Sequence, residues 1–178
     1  MSSDPFRPQK PSHITSVTGG LCALTVTEAV ARLRAGEVTA AELVEASIAR
    51  IEEVDPKVNA LPIPCSDRAR DMARKLRPED HADNPKSLCG LPIAIKDYND
   101  VGGVRTTYGS PIFAQSVAAQ SDATVRQLER NGAIPMAKSN VPEWAGGNTF
   151  NPVFGATRNP WDLRMSVGDL RVDQRPLW

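Results

Sequence analysis

A chain of 178 residues that is 40% hydrophobic can fill the core of one ordinary domain. Its 21 Lys and Arg balance 21 Asp and Glu, so no net field draws in nucleic acid or an anionic membrane, and small-molecule or protein ligands are favoured. Two His and three widely spaced Cys without a CxxC pair supply neither a His–Cys metal cluster nor a disulfide framework, which fits reduced thiols and a cytoplasmic setting. No apolar stretch reaches membrane-spanning length, and Met1 to Ser12 is polar, with no hydrophobic signal region. His13 and His81 lie in Pro-rich or acidic stretches and read as surface residues, so acid–base work falls to other groups.

Residues 1–20 hold Pro5, Pro8, Pro11 and Gly19-Gly20 with nothing periodic to bury, and read as a flexible arm. Thr25-Val-Thr-Glu28 has capping-box spacing, and Val26, Val30 and Leu33 follow at helical intervals up to Gly36. Thr39-Ala-Ala-Glu42 repeats the device. Leu43, Ser47, Ile48, Ile51 and Val54 then give a second amphipathic helix, antiparallel to the first, that should end before Pro56. A weaker helix runs from Ser66 to about Leu76 with Met72 and Leu76 on one face, and residues 78–88 read as a surface loop.

The run Leu91-Pro-Ile-Ala-Ile-Lys96 is rich in β-branched residues, follows Gly90, and is too short for an ordinary helix; it reads as a buried strand. On a period of two, Leu91, Ile93 and Ile95 face one way, and Pro92, Ala94 and Lys96 the other. Lys96 then stands at the carboxyl end of a strand, the edge where open α/β sheets place their sites. Taken alone, a lysine there is a solvated surface charge. Val104 to Ser110 reads as a short strand or an ordered loop. Ser121 can cap a helix carrying Val125 and Leu128, Gly132 suits its carboxyl end, and Ala133 to Lys138 forms a second buried strand. Strand, helix and strand make a βαβ unit with parallel strands, so the fold class is α/β. Asn140 can cap a short helix with Pro142 in its first turn. Gly146-Gly147-Asn148 is close-approach backbone of the kind that borders a ligand, or else a plain turn.

Gly90-Leu-Pro-Ile-Ala-Ile-Lys96-Asp97, Thr106-Thr-Tyr-Gly-Ser110, Leu128-Glu-Arg-Asn-Gly-Ala133, Ala137-Lys-Ser-Asn-Val-Pro-Glu143, Asn151-Pro-Val-Phe-Gly155 and Asn159-Pro-Trp161, in this order across residues 88–168, resemble the amidase signature family. The helical lead-in from about residue 25 is similar to the family's as well. The resemblance implies the amino-terminal portion of a large mixed sheet covered by helices, and a hydrolase of carboxylic amides. It also implies a nucleophilic Ser, a bridging Ser in a cis peptide, and a Lys as base, with no metal and no cofactor. Lys96 matches the base, and Ala145, Gly146 and Gly147 match the border of the acyl pocket. The implied partners are a small-molecule amide and, in the full-length form, a second copy of the chain, with neither nucleic acid nor membrane.

Past Gly168 the family continues into a Gly/Ser-rich stretch bearing the bridging Ser, whereas here Asp169 to Trp178 reads DLRVDQRPLW. Back-translated as GAT CTT CGG GTG GAT CAG CGG CCG CTG TGG with one G in front, those residues become Gly-Ser-Ser-Gly-Gly-Ser-Ala-Ala-Ala-Val. The degenerate positions are chosen, but the protein sequence dictates most second codon positions. Residues 169–178 are therefore expected to be an out-of-frame tail after an incomplete amidase signature domain at 21–168. Without both serines the chain as written should not hydrolyse amides. Two other readings stand beside the hydrolase: the A-type subunit of a glutamyl-tRNA(Gln) amidotransferase, which shares these motifs, and a non-enzymatic fragment serving as a binding module.

Overall fold

The computed structural model describes residues 19–77, 81 and 84–168. His13, most of the expected arm, the tail 169–178 and part of the 78–88 loop lie outside the described residues. Gly19 and Gly20, assigned to the arm from sequence, instead open a four-residue helix, α1 (Gly19–Cys22).

Both capping boxes form. In α2 (Val26–Ala35) the Thr25 amide donates to Glu28 Oε2 at 2.8 Å and the Glu28 amide returns to Thr25 Oγ1 at 3.3 Å, while Gly36 closes the helix at φ 69°. Ala29 and Leu33 are its buried residues; Val26 is 62% exposed, because the first turn of α2 stands outside the core. Thr39 and Glu42 make the same exchange at the start of α3 (Ala40–Val58). This helix does not stop before Pro56. It runs through the proline to Val58 and ends on Asn59 at φ 57°. The proline removes one amide, on an exposed face where water can serve the freed carbonyl. Asp55 then secures the exit, its carboxylate accepting from the Ala60 and Leu61 amides at 2.7 and 3.1 Å. In α4 (Ser66–Lys75) the buried residues are Ala69 and Ala73; the face expected from sequence, Met72 and Leu76, is only partly covered.

The sheet has the order β1-β3-β2. The central β3 (Ile134–Ser139) pairs parallel with β2 (Pro92–Lys96) and antiparallel with β1 (Ile63–Pro64), a two-residue strand that periodicity could not detect. Pro135 sits in this central strand. The ladder accommodates it by slipping register beside it, Ile93 facing Pro135 and Ala94 facing Ala137, so that Met136 is left out of the pairing with β2. The Met136 carbonyl is instead taken by the Cys65 amide at 2.8 Å. Between β2 and β3 lies α5 (Ala123–Arg130). Ser121 does not cap it: the N-cap is Asp122, and Ser121 Oγ accepts from the Gly102 amide at 2.9 Å. Gly132, at φ 80°, follows the Asn131 cap as expected.

One core cluster joins Ala29, Leu33, Leu43, Val44 and Ile48 to Ala69, Ala73, Leu91, Ile134, Met136 and Ala137; a second joins Ile95, Val101 and Val125, and Ile93 packs against both. Each large aliphatic side chain buried here contributes roughly 1.5–3 kcal/mol. Gly90 marks the closest approach, since a Cβ there would lie 2.4 Å from Ala40 Cβ and the backbone has φ 95°. Four short strands in two antiparallel pairs follow the turn after β3: β4 (Phe150–Asn151) with β5 (Gly155–Ala156), and β6 (Arg158–Asn159) with β7 (Asp162–Ser166). Among the described residues no helix is long and apolar enough to cross a membrane.

Candidate active site

At the carboxyl edge of the parallel pair the pleat separates two adjacent residues. Ala94 and Lys96 are exposed, and Ile95 and Asp97 are buried, as the period of two requires. Lys96 Nζ lies 4.9 Å from the centroid of the Tyr98 ring, a cation–π contact. The Tyr98 hydroxyl donates to the Pro142 carbonyl, which ties the strand end carrying Lys96 to the turn at 143–147.

Asp97 turns the other way and meets a lysine that periodicity alone does not single out. Lys138, on β3 opposite Ile95, is 0% exposed; its ammonium donates to Asp97 Oδ1 at 2.8 Å and to Thr106 Oγ1. The second Asp97 oxygen accepts from the Thr107 amide at 3.1 Å and from the Thr107 hydroxyl at 2.5 Å. Burial holds the Lys138 ammonium below its ordinary pKa, with the hydrogen bond and charge of Asp97 pulling against that shift. Burial likewise pushes up the Cys65 thiol nearby, against the charges of Arg68 and Lys138.

Thr106 to Ser110 is an ordered loop rather than a strand. Thr106, Thr107 and Ser110 are buried, a single bridge pairs Arg105 with Val117, and the Thr106 amide donates to the Ser116 carbonyl at 2.9 Å. Gly109 at φ 71° lets the loop lie against the next turn, where a Cβ would stand 3.1 Å from both the Glu143 amide nitrogen and the Val141 carbonyl. Tyr108 donates to Asp100 at 2.7 Å, and this bond, with burial and the surrounding carboxylates, pushes its pKa up to about 12.

Asn140 does not cap a helix. Its amide nitrogen donates to the Gly155 carbonyl and to Thr157 Oγ1, each at 3.1 Å, while its oxygen accepts from Asn151 at 2.6 Å. It fastens β4 and β5 to the end of β3. The short helix is a 3-10 turn, Glu143–Ala145, with Trp144 at φ 52°. Trp144 is 64% exposed and meets Phe113 edge-on at 6.2 Å between centroids. The Ala145 backbone completes this turn, and Gly146 and Gly147 follow it, both exposed. Through Tyr98 and Pro142 the strand end carrying Lys96 is linked to the turn that precedes Gly146 and Gly147. His81 is half-buried, its ring within 3.0 Å of where a Gly132 Cβ would stand, so it is not a plain surface residue. Cys22, Cys65 and Cys89 are free. Among the described residues no cluster of three His, Cys, Asp or Glu could hold a metal ion.

The sequence profile described as Amidase matches residues 42–168. The chain belongs to the amidase family. It is 40% identical over 149 residues to the A-type subunit of the glutamyl-tRNA(Gln) amidotransferase of Oleidesulfovibrio alaskensis, covering 82% of this chain and 30% of that protein. A bacterial aryl acylamidase of the amidase signature enzymes superposes with a TM-score of 0.73 at 27% identity, over 82% of this chain and 31% of the other. A 6-aminohexanoate cyclic dimer hydrolase complexed with substrate superposes with a TM-score of 0.72 at 29% identity, over 82% and 30%. The chain therefore spans about a third of the length of these relatives.

Proposed function

We propose that residues 21–168 are the amino-terminal part of an amide hydrolase in which Lys96 is the base of a Ser–cisSer–Lys mechanism and Ala145, Gly146 and Gly147 border the acyl pocket. The observation that carries this reading is the presentation of Lys96: an exposed ammonium at a strand end whose next residue is buried and ion-paired. In the mechanism a bridging serine passes the proton of the nucleophilic serine to the lysine, and both serines come from chain beyond Gly168. A desolvated lysine can hold that role because loss of water favours its neutral form. The substrate is a small-molecule carboxylic amide, the setting is cytoplasmic, and the full-length form is a homodimer.

The test is the DNA and the protein it encodes. One base inserted near codon 169 should open a frame reading Gly-Ser-Ser-Gly-Gly-Ser, and the frame-restored protein should hydrolyse members of a panel of aliphatic, aryl and peptide-like amides. No such frame, or no hydrolysis across the panel, defeats the reading. The 40% identity to an A-type amidotransferase subunit favours a second one, in which the full-length protein releases ammonia from glutamine for a charged tRNA. Co-purification with partner subunits and glutamine-dependent ammonia release would select it.

A further inference from the structure

We propose that Lys138 is a positioning residue for Lys96: by gripping Asp97 it fixes the carboxyl end of β2 and the Thr106–Ser110 loop, and so sets the direction in which Lys96 points. The inference rests on the reading of Lys96 as the base. Lys138 and Asp97 are 0% and 1% exposed and 2.8 Å apart. A buried pair of this kind gains little over two well-packed apolar residues of similar volume, because desolvation of both charges offsets their attraction. Stability alone therefore gives little reason for a charge at either position, and geometry gives one. Asp97 takes the Lys138 ammonium on one oxygen and the Thr107 amide and hydroxyl on the other. Its own amide donates to the Ser139 carbonyl at 3.2 Å, and the Lys96 carbonyl accepts from the Asn99 amide at 2.9 Å. The Lys96–Asp97 peptide unit is thereby held at both its carbonyl and its amide, and the freedom left to Lys96 is its own side-chain torsions, which end over Tyr98 at 4.9 Å.

The experiment compares the wild-type chain with the double substitution D97N/K138Q, which keeps hydrogen-bonding groups and removes both charges together. The accessible lysine amines are 13C-dimethylated, and the Lys96 resonance is assigned by its loss in K96R. In the wild type the Tyr98 ring, 4.9 Å away, should shift that resonance away from the free-lysine position; in the double variant it should return towards that position while the melting temperature changes little. An unmoved resonance overturns the proposal. Should the double variant not fold, T107V, which removes one donor to Asp97, should give a smaller movement of the same sign, and no movement there is equally fatal. In the frame-restored protein kcat should fall about tenfold or more with KM nearly constant, as displacement of a reacting group by a fraction of an ångström requires; an unchanged kcat counts against the proposal. If the wild-type full-length protein hydrolyses no amide, the assignment of Lys96 as base fails, and the resonance still decides whether Lys138 positions it.

Discussion

Lys96 and Lys138 stand one residue out of register on neighbouring parallel strands, yet one is exposed against an aromatic ring and the other is enclosed with an acid and a threonine. By burial and a depressed pKa alone, Lys138 has the signature usually sought in a catalytic lysine. Its ammonium, however, is held by fixed partners and is fully enclosed, whereas Lys96 is exposed among the described residues. For Lys138 desolvation comes with fixed partners, whereas the role proposed for Lys96 requires the remainder of the full-length protein to cover an ammonium that the described residues leave open.

The largest effect should come from removing Lys96 where chemistry occurs: K96A in the frame-restored protein should reduce amide hydrolysis to the detection limit, measured as kcat/KM, because a base and its serines act as one unit. A rate close to wild type would return Lys96 to the status of a surface charge. In the chain as written the ranking inverts. K138M leaves Asp97 buried and unpaired and should cost about 3–5 kcal/mol, while K96M should stay within about 0.5 kcal/mol, both read from urea unfolding. Equal losses would erase the distinction between the two lysines.

A smaller contrast lies in pH. The Lys138 pKa is lowered in the native chain, chiefly by burial, so the folded form gives up that proton before the unfolded form does. Stability linked to it should rise with pH from the lowered value up to its ordinary 10.5, and D97N/K138Q should flatten that slope. Tyr108 acts in the opposite sense. With its pKa raised from 10 to about 12, it favours the folded chain below pH 10, and that contribution is lost as pH rises towards 12. Phenolate absorbance in wild type and Y108F should reveal one tyrosine titrating near 12; a midpoint near 10 would mean that Asp100 does not hold the hydroxyl.

The local signals that sequence carries well are those written within four residues. Thr25-Glu28 and Thr39-Glu42 cap their helices, and the alternation expected at Ala94, Ile95 and Lys96 is the observed one. Long-range pairing is not legible in the same way. Asn140 and Ser121 each carry the chemistry of a cap, but tertiary partners 11 to 19 residues away, Asn151 and Gly102, claim their side chains instead. Pro56 misleads because a proline in the last exposed turn removes little, and Asp55 beside it supplies the exit contacts. Lys138 reads in sequence as the polar end of an apolar strand. Its place opposite Ile95, and the acid one step beyond Lys96, are the clues that join it to Asp97.

Among the described residues β2 has a strand neighbour on one side only, and a strand edge is a place where chains can pair unless it is covered or blunted. Pro92 withholds a donor at one end of that edge, and Lys96 sets a charge at the other, where a second β2 stacking in parallel would bring like charges together. Proline and lysine are residue types that blunt strand edges against pairing, and added salt should weaken the share carried by the charge.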